Sequence, residues 1–488
     1  MYQPKAAKLD MPGNYEIFYP GVYSPKDKAA IDEAMKERLA INQRGPVDIQ
    51  ALIRGDLDDQ NLPGIEKPRR HGPPPSDDGG KDGPPEGPPP EPEPVKGYGH
   101  TAEDSSIIAR NYDPDNRLYF DAEYAKKLGY KDKLVYPLNY TLAGQWGNAM
   151  PKDPLCDTLA VNGLNRIHYF YQPVYPGDTL YAVEDQQDLE DITPPGGSEY
   201  RSFRMWGHGK VYNQNGVCVG ESTGYVKENL KRYIERPEGY TRDGFDHPWD
   251  CADWWARPAH RYTAEDWEKI TGWWVEETRR GEDPLYWEDV EVGTAIPKKV
   301  AGPITAEELG SRYTGMPGKP YYTIREILMD PKLKKDAVMD PETGLYTHPA
   351  NEFNGMGMPG FSFIDRPVFE NSQMPHFAIS MLWNWMGDTG WLYKIAWDIM
   401  PIFPGYGDKL PPHPDEPNYI QGVPFLAGKQ VVSHGLVRDM CIANGYVKRK
   451  YIHNGAYMVD VIWWLETLDG DIYEEGEATV KLPSRENI

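Results

Sequence analysis

Apolar residues recur at four-residue steps in residues 26–44, where Ile31, Met35 and Leu39 share one face, so the spacing predicts a helix in need of a partner surface. A second helical stripe, Leu142, Ala143 and Trp146, appears in 139–150 and suits burial against a sheet. The period then changes to that of strands. Residues 161–174, 179–189 and 200–212 are rich in aromatic and β-branched side chains, Pro176-Gly177-Asp178 is a turn, and Asn215-Gly216 marks a hairpin. A Thr263-Ala264-Glu265-Asp266 capping box opens a further helix carrying Trp267, Ile270 and Trp274 on one face, expected to pack across the two halves of the chain.

The pattern repeats. Similar boxes stand at Thr101-Ala102-Glu103-Asp104 and Thr305-Ala306-Glu307-Glu308, and the Asp-Gly turn at 469–470 with its following strand echoes 214–227. A spacing of roughly 250 residues implies duplication rather than a solenoid. The expected organisation is an arm over 1–96, a first unit over 97–230, a helical connector over 231–284 and a second unit over 285–488. In the arm, 63–96 is so rich in Pro and Gly that neither helix nor ladder can form, leaving a linker or a strap over a neighbour. Segments 311–380 and 401–424 read as insertions or lids.

With 488 residues, 39% hydrophobic and 12% aromatic, the chain has apolar mass for more than one core. A formal charge of -23 argues against binding nucleic acid or an anionic membrane, and leaves any anionic substrate dependent on a local basic patch. Cys156, Cys218, Cys251 and Cys441 are too dispersed for a disulfide scaffold or zinc knuckle. There is no apolar run long enough to span a bilayer and no signal-peptide layout, which points to the cytoplasm. Metal-ligand, Walker and dinucleotide motifs are absent from the sequence, so no metal or cofactor is expected.

Candidate chemistry concentrates in Asn111-Tyr-Asp-Pro-Asp-Asn-Arg-Leu-Tyr-Phe-Asp121, a loop between a helix expected after the 101–104 box and a short helix over 121–128 stopped by Gly129. It gathers acids, an Asn and a Tyr, although ordinary turns use the same residues. The stretch resembles the hydratase motif of the MaoC-like dehydratases, a hot-dog-fold family, G-D-x-N-P-[LI]-H-x-D followed by A-x-x-x-G. Asn116, Leu118, Asp121, Ala125 and Gly129 match; Arg117 replaces the Pro, Pro114 stands at the catalytic Asp and Tyr119 at the catalytic His. Pro173-Val-Tyr-Pro-Gly-Asp-Thr-Leu180 resembles the family's R-P-V-x-x-G-D-x-L turn, with Gln172 in place of the Arg. The second unit resembles double-hot-dog acyl dehydratases in its Val-Glu-Val-Gly293 opening, its Asn384 to Tyr393 stretch and its Leu482-Pro-Ser-Arg485 finish. Laid on the motif it reads Gly387-Asp388-Thr389-Gly390-Trp391-Leu392-Tyr393, with the Asp kept and the His again Tyr.

This resemblance implies an α+β fold of two tandem hot-dog units, each an antiparallel sheet wrapped around a long central helix. It implies a hydratase or dehydratase acting on an enoyl or 3-hydroxyacyl CoA thioester. Catalysis would rest on Asp388, with Tyr393 as hydrogen-bond donor or acid. Tyr119, Asp113, Asp115, Gly387 and Gly390 would contact substrate, the first unit shaping its tunnel. The CoA phosphates need cations; Arg166, with Arg201 and Arg204, and Lys448, Arg449 and Lys450 are candidates, although basic residues on strands also decorate solvated faces. His376, His434 and His453 are the histidines that would supply a missing imidazole. Two other readings stand beside this one. The missing histidines fit a non-catalytic hot-dog subunit that binds acyl groups or completes a partner's site, and a thioesterase needs no His. The amphipathic first helix and the Pro-rich arm point to a homodimer.

Overall fold

Ten strands form one antiparallel sheet in the computed structural model, which describes residues 16–57, 62, 64–65, 98–139, 156–198, 201–232, 234, 259–305, 322–349, 375–398 and 435–487. The first half contributes β1 (His100–Thr101), β2 (Cys156–Phe170), β3 (Thr179–Asp191), β4 (Arg201–Asn213) and β5 (Cys218–Arg232). The second contributes β6 (Ala295–Ala301) and, after a small hairpin of β7 (Val338–Met339) and β8 (Tyr346–Thr347), β9 (Trp391–Asp398), β10 (Cys441–His453), β11 (Ala456–Glu466) and β12 (Ile472–Lys481). The order is β1-β3-β4-β5-β2-β9-β12-β11-β10-β6, so each half runs from an early edge strand through a three-strand meander to an inner strand. The halves join where β2 pairs with β9, Asn165 opposite Asp398 and Tyr169 opposite Lys394.

Local chemistry sets these turns. Gly216 and Gly470 take φ of +75° and +85° at equivalent hairpins, the left-handed conformation a side chain resists. In the Pro176-Gly177-Asp178 turn, Asp178 accepts from the Tyr175 N–H at 2.9 Å, while its carbonyl receives the Ala102 N–H at 2.7 Å and ties down the edge strand. Thr101 belongs to that strand, opposite Thr179. The helix expected from the Thr101 box therefore starts later, as α3 (Ser106–Tyr112), because the backbone is committed to sheet pairing.

Helix α1 (Pro25–Gln43) has a Ser24/Asp27 capping box, and Ile31 with Met35 packs on Leu189, Phe203, Met205 and Leu230 of the same chain. Its partner surface is thus internal, and α1 supplies no argument for a homodimer. Asp27 and Arg232 bind it further through an ion pair. After α2 (Ile49–Arg54) and α3 comes α4 (Ala122–Lys127), capped by Asp121 as expected. The box at Thr263 opens α5 (Ala264–Glu276), whose Trp267, Ile270 and Trp274 are buried. They pack against Val300, Ile324, Leu328, Met440 and Ile442, all in the second half, rather than across both halves.

The expected insertion at 311–380 contains α6 (Ile324–Met329), α7 (Pro331–Lys334) and the first turns of α8 (Pro375–Met386), so its far end is core rather than lid. Helix α8 is buried almost throughout and packs on β6, β9, β10 and β11. The helix expected at 139–150, most of the Thr305 box, the Pro-rich 66–96 and the segment 401–424 lie outside the described residues. Among the described residues no helix is long and apolar enough to cross a membrane.

Candidate active site

Asn116 organises the loop between α3 and α4. Its Oδ1 accepts from the Leu118 N–H at 3.1 Å, capping the single turn Arg117–Tyr119, and its Nδ2 donates to Asp113 Oδ2 at 2.9 Å. Asp121 accepts from the Tyr124 N–H at 3.0 Å and pairs with Arg117 at the surface. With both ends fixed, Asp113, Asn116, Leu118 and Tyr119 are buried while Pro114 and Asp115 are exposed. The inward carboxylate comes from Asp113, one position ahead of Pro114.

What receives this loop belongs to the other half of the chain. Ser380 on α8 donates its hydroxyl to Asp113 Oδ1 at 2.9 Å. His376, Ser380 and Asn384 stand four residues apart and so share one face of an otherwise apolar helix. Tyr112 stacks on His376 with ring centroids 4.1 Å apart, and Tyr136 lies 5.1 Å from both His376 and Tyr119. Arg279, just beyond α5, links the acids. Its Nη1 donates to Asn384 Oδ1 at 3.0 Å and lies 3.9 Å from Asp113, and its Nη2 pairs with Asp388 Oδ1. Asp388 Oδ2 accepts from the Tyr124 hydroxyl at 2.7 Å. Behind Asn384, Glu277 is held by Lys299 at 2.6 Å and Arg325 at 2.9 Å.

Burial pushes the Asp113 carboxyl above the usual aspartate range, against the pull of Arg279, Lys299, Asn116 and Ser380. Burial raises Asp388 as well, opposed by the Arg279 charge and the Tyr124 hydrogen bond. The Tyr119 hydroxyl is pushed well above its ordinary value by burial and by the Asp113 charge, and among the described residues it has no hydrogen-bond partner. Such a phenol keeps its proton at neutral pH and acts as a donor. Leaving a buried hydroxyl unbonded costs about 1–3 kcal/mol, which an oxygen of a bound molecule would relieve.

Several expected site residues have other work. The stretch from Gly387 to Tyr393 leaves α8 and runs into β9, whereas 111–121 ends well before β2, the strand in the matching place of the order. The two copies of the motif therefore occupy different points of the fold. Gly387, at φ +74°, ends α8, and a Cβ there would come within 2.8 Å of the Asp283 carbonyl; this fit lets the Asp388 N–H reach the Gly281 carbonyl at 2.6 Å. Gly390 closes the same turn against Met386. Tyr393 occupies a β-bulge, skipped as pairing with β12 passes from Leu392 to Lys394, and its ring packs on Tyr169 and Tyr171 under Lys481. The expected partner of Asp388 was Tyr393; the hydroxyl the structure places on its Oδ2 is that of Tyr124.

The candidate phosphate-binding cations are also engaged internally. Lys448 pairs with Glu477 at 2.6 Å and Arg449 with Asp460 at 2.6 Å, while Lys450 donates to the Trp287 and Val290 carbonyls. Arg201 holds the Tyr19 and Val22 carbonyls, Arg204 pairs with Glu190, and Arg166 is buried opposite Trp397 where the halves meet. His434 lies outside the described residues. Sequence reasoning missed Arg279, Ser380, Asn384 and Tyr124. The one available signal was the polar stripe at four-residue spacing through the apolar 375–386 run.

No family model and no curated protein sequence matches the chain. Among solved structures it is similar to a MaoC-like dehydratase, at 12% identity and a TM-score of 0.41 over 79% of this chain and 96% of that one. It is likewise similar to a MaoC domain protein dehydratase from Chloroflexus aurantiacus, at 14% identity and a TM-score of 0.40 over 79% and 93% of the two chains. A conserved Mycobacterium tuberculosis protein described as having a double hotdog fold is similar at 10% identity and a TM-score of 0.38, over 79% of this chain and 93% of that one.

Proposed function

We propose that the chain is a hydratase or dehydratase of an α,β-unsaturated or 3-hydroxyacyl thioester, with Asp113 as its acid–base group. The observation that carries this reading is a wholly buried carboxyl, held by Asn116 and Ser380, beside a buried Tyr119 hydroxyl that has no partner among the described residues. The motif resemblance around Asn116, Leu118 and Asp121 supports the reaction class. In the hydration direction, Asp113 takes a proton from water as its oxygen bonds to the β-carbon. The alkene electron pair moves toward the thioester carbonyl, and the α-carbon then receives the proton that Asp113 took up. Dehydration retraces these steps. Tyr119 donates to the incoming or departing oxygen, and Arg279 balances the carboxylate charge without leaving its own partners.

In this reading the units over 97–230 and 285–488 make one site, the first giving the loop and the second the face of α8. A coenzyme A thioester is the substrate class, and its phosphates take cations other than Lys448, Arg449 and Lys450. The test is to incubate the full chain with enoyl and 3-hydroxyacyl thioesters and follow products by mass spectrometry. Gain or loss of water supports the reading. Release of free thiol would mean a thioesterase, and no product across the panel would favour a non-catalytic acyl-binding role.

A further inference from the structure

A guanidinium beside a carboxylate ordinarily closes on it, because a direct pair adds charge-assisted hydrogen bonds to the Coulomb attraction. Between Arg279 and Asp113 that closure is incomplete, for Nη1 stops 3.9 Å from Oδ1 of the wholly buried carboxyl. The reason lies on α8. Asn384 Oδ1 accepts from the same Nη1 at 3.0 Å, and Asn384 Nδ2 donates to Glu277 Oε1 at 3.4 Å. A carboxylate held by Lys299 at 2.6 Å and Arg325 at 2.9 Å only accepts, so it turns the amide nitrogen toward itself and the amide oxygen toward Arg279. The backbone adds to this hold, because the Arg280 N–H donates to the Asn384 carbonyl at 3.1 Å.

We infer that Asn384 is a positioning residue of this site: by engaging Nη1 it keeps Arg279 from pairing directly with Asp113. The inference rests on the reaction proposed above, in which Asp113 takes a proton from water and returns it to carbon. A carboxylate in a direct ion pair is a weaker base, whereas one held by Ser380 and Asn116, with its cation at a distance, passes the proton both ways. One face of α8 thus sets both sides of the acid: Ser380 is its donor, and Asn384, one turn on, holds its counter-charge. The other charged or titratable groups around Asp113 are Lys299 on β6, paired with Glu277, Asp388 beyond α8, Tyr119 on the loop, and His376 and Tyr136, which pack around Tyr112. Among the described residues, Asn384 alone accepts a hydrogen bond from Nη1.

The test uses the full chain and two variants: Asn384→Ala, which frees Nη1, and Asn384→Asp, which keeps an acceptor of the same shape. Without substrate, the infrared band of the protonated Asp113 carboxyl is followed against pH, as the difference between each protein and the same protein carrying Asp113→Asn. In Asn384→Ala, Arg279 should close on Asp113 and the midpoint should fall by about one pH unit. In Asn384→Asp it should stay at or above the wild-type value. On a thioester that turns over, the acid limb of the hydration profile should move to lower pH by the same amount in Asn384→Ala, with an unchanged circular-dichroism spectrum. A midpoint unmoved or raised in folded Asn384→Ala would overturn the inference, as would one lowered in Asn384→Asp, which decides alone if the alanine variant does not fold. If no thioester turns over, the proposed reaction fails, while the infrared titration still decides whether Asn384 keeps Arg279 off Asp113.

Discussion

Asp113 and Asp388 sit in one network and are both held above the usual aspartate range by burial, yet their partners differ in kind. Asp388 has a direct ion pair to Arg279, a tyrosine hydroxyl on its other oxygen and a backbone N–H bound to Gly281. Its Oδ1 is committed to a charge. Asp113 has neutral donors, Asn116 and Ser380, and Arg279 only at 3.9 Å, with a hydroxyl nearby that has no partner among the described residues. A direct ion pair suits joining chain segments, whereas an acid held by neutral donors can exchange a proton without breaking one. On the proposed reading this difference gives the chemistry to Asp113 and the scaffolding to Asp388, the reverse of the expectation from the motif alone.

The largest effect should come from Asp113→Asn, which preserves the Ser380 and Asn116 contacts in shape. Turnover should fall by about 10²–10⁴-fold with an unchanged circular-dichroism spectrum. The pH dependence follows from the same group. Hydration needs ionised Asp113, so its rate should rise through a pH above the ordinary aspartate value of about 3.9. Asp113→Asn should remove that limb.

Asp388→Asn leaves Arg279 without its direct counter-charge, so its main effect should be on stability, about 3 kcal/mol by denaturant unfolding. A stable Asp388→Asn with no activity would erase the distinction between the two acids. Tyr119→Phe should be smaller again and opposite in character: a rate loss of about tenfold, with stability unchanged or improved because the hydroxyl has no protein partner to lose. Tyr393→Phe should leave the rate within about twofold, since its ring packs at a bulge on Tyr169 and Tyr171.

A control lies on the first half's strands, away from these groups. Burial opposes charge on His208, but Asp185 and Glu221 outweigh it and push the imidazole up to about 9. A raised histidine contributes stability that is complete below its unfolded value near 6.5 and lost as pH rises through about 9. His208→Gln should flatten that loss in thermal melts without altering the rate profile assigned to Asp113.

Much of the framework was legible in sequence because it depends on local chemistry. The strands of the first meander, the last strand of the second, the Asn-Gly and Asp-Gly hairpins, the short helix from Asp121 and the Thr263 box all depend on neighbours a few residues apart. Spacing also showed that residues 26–44 would seek a surface, though not that the surface was the chain's own sheet. The site was less legible because it is assembled across the sequence. Arg279 follows an ordinary helix end and has no motif, and Ser380 is a small polar residue in an apolar run. Asp113 stood one position off the resemblance, so matching by position made it a substrate contact rather than the acid, while Asp388 matched by letter at a different point of the fold. Tyr393 was misplaced for a related reason: a bulge in β9 shifts side chains in a way that no spacing rule reveals.

The central claim is tested most directly by the single-turnover rate of Asp113→Asn relative to Asp388→Asn, measured on one enoyl thioester at a temperature where both variants are folded. The account predicts that Asp388→Asn is faster by at least about tenfold, because only Asp113 exchanges a proton with the reacting water. An inactive Asp388→Asn beside an Asp113→Asn of near wild-type rate would contradict it and return the chemistry to the turn after α8.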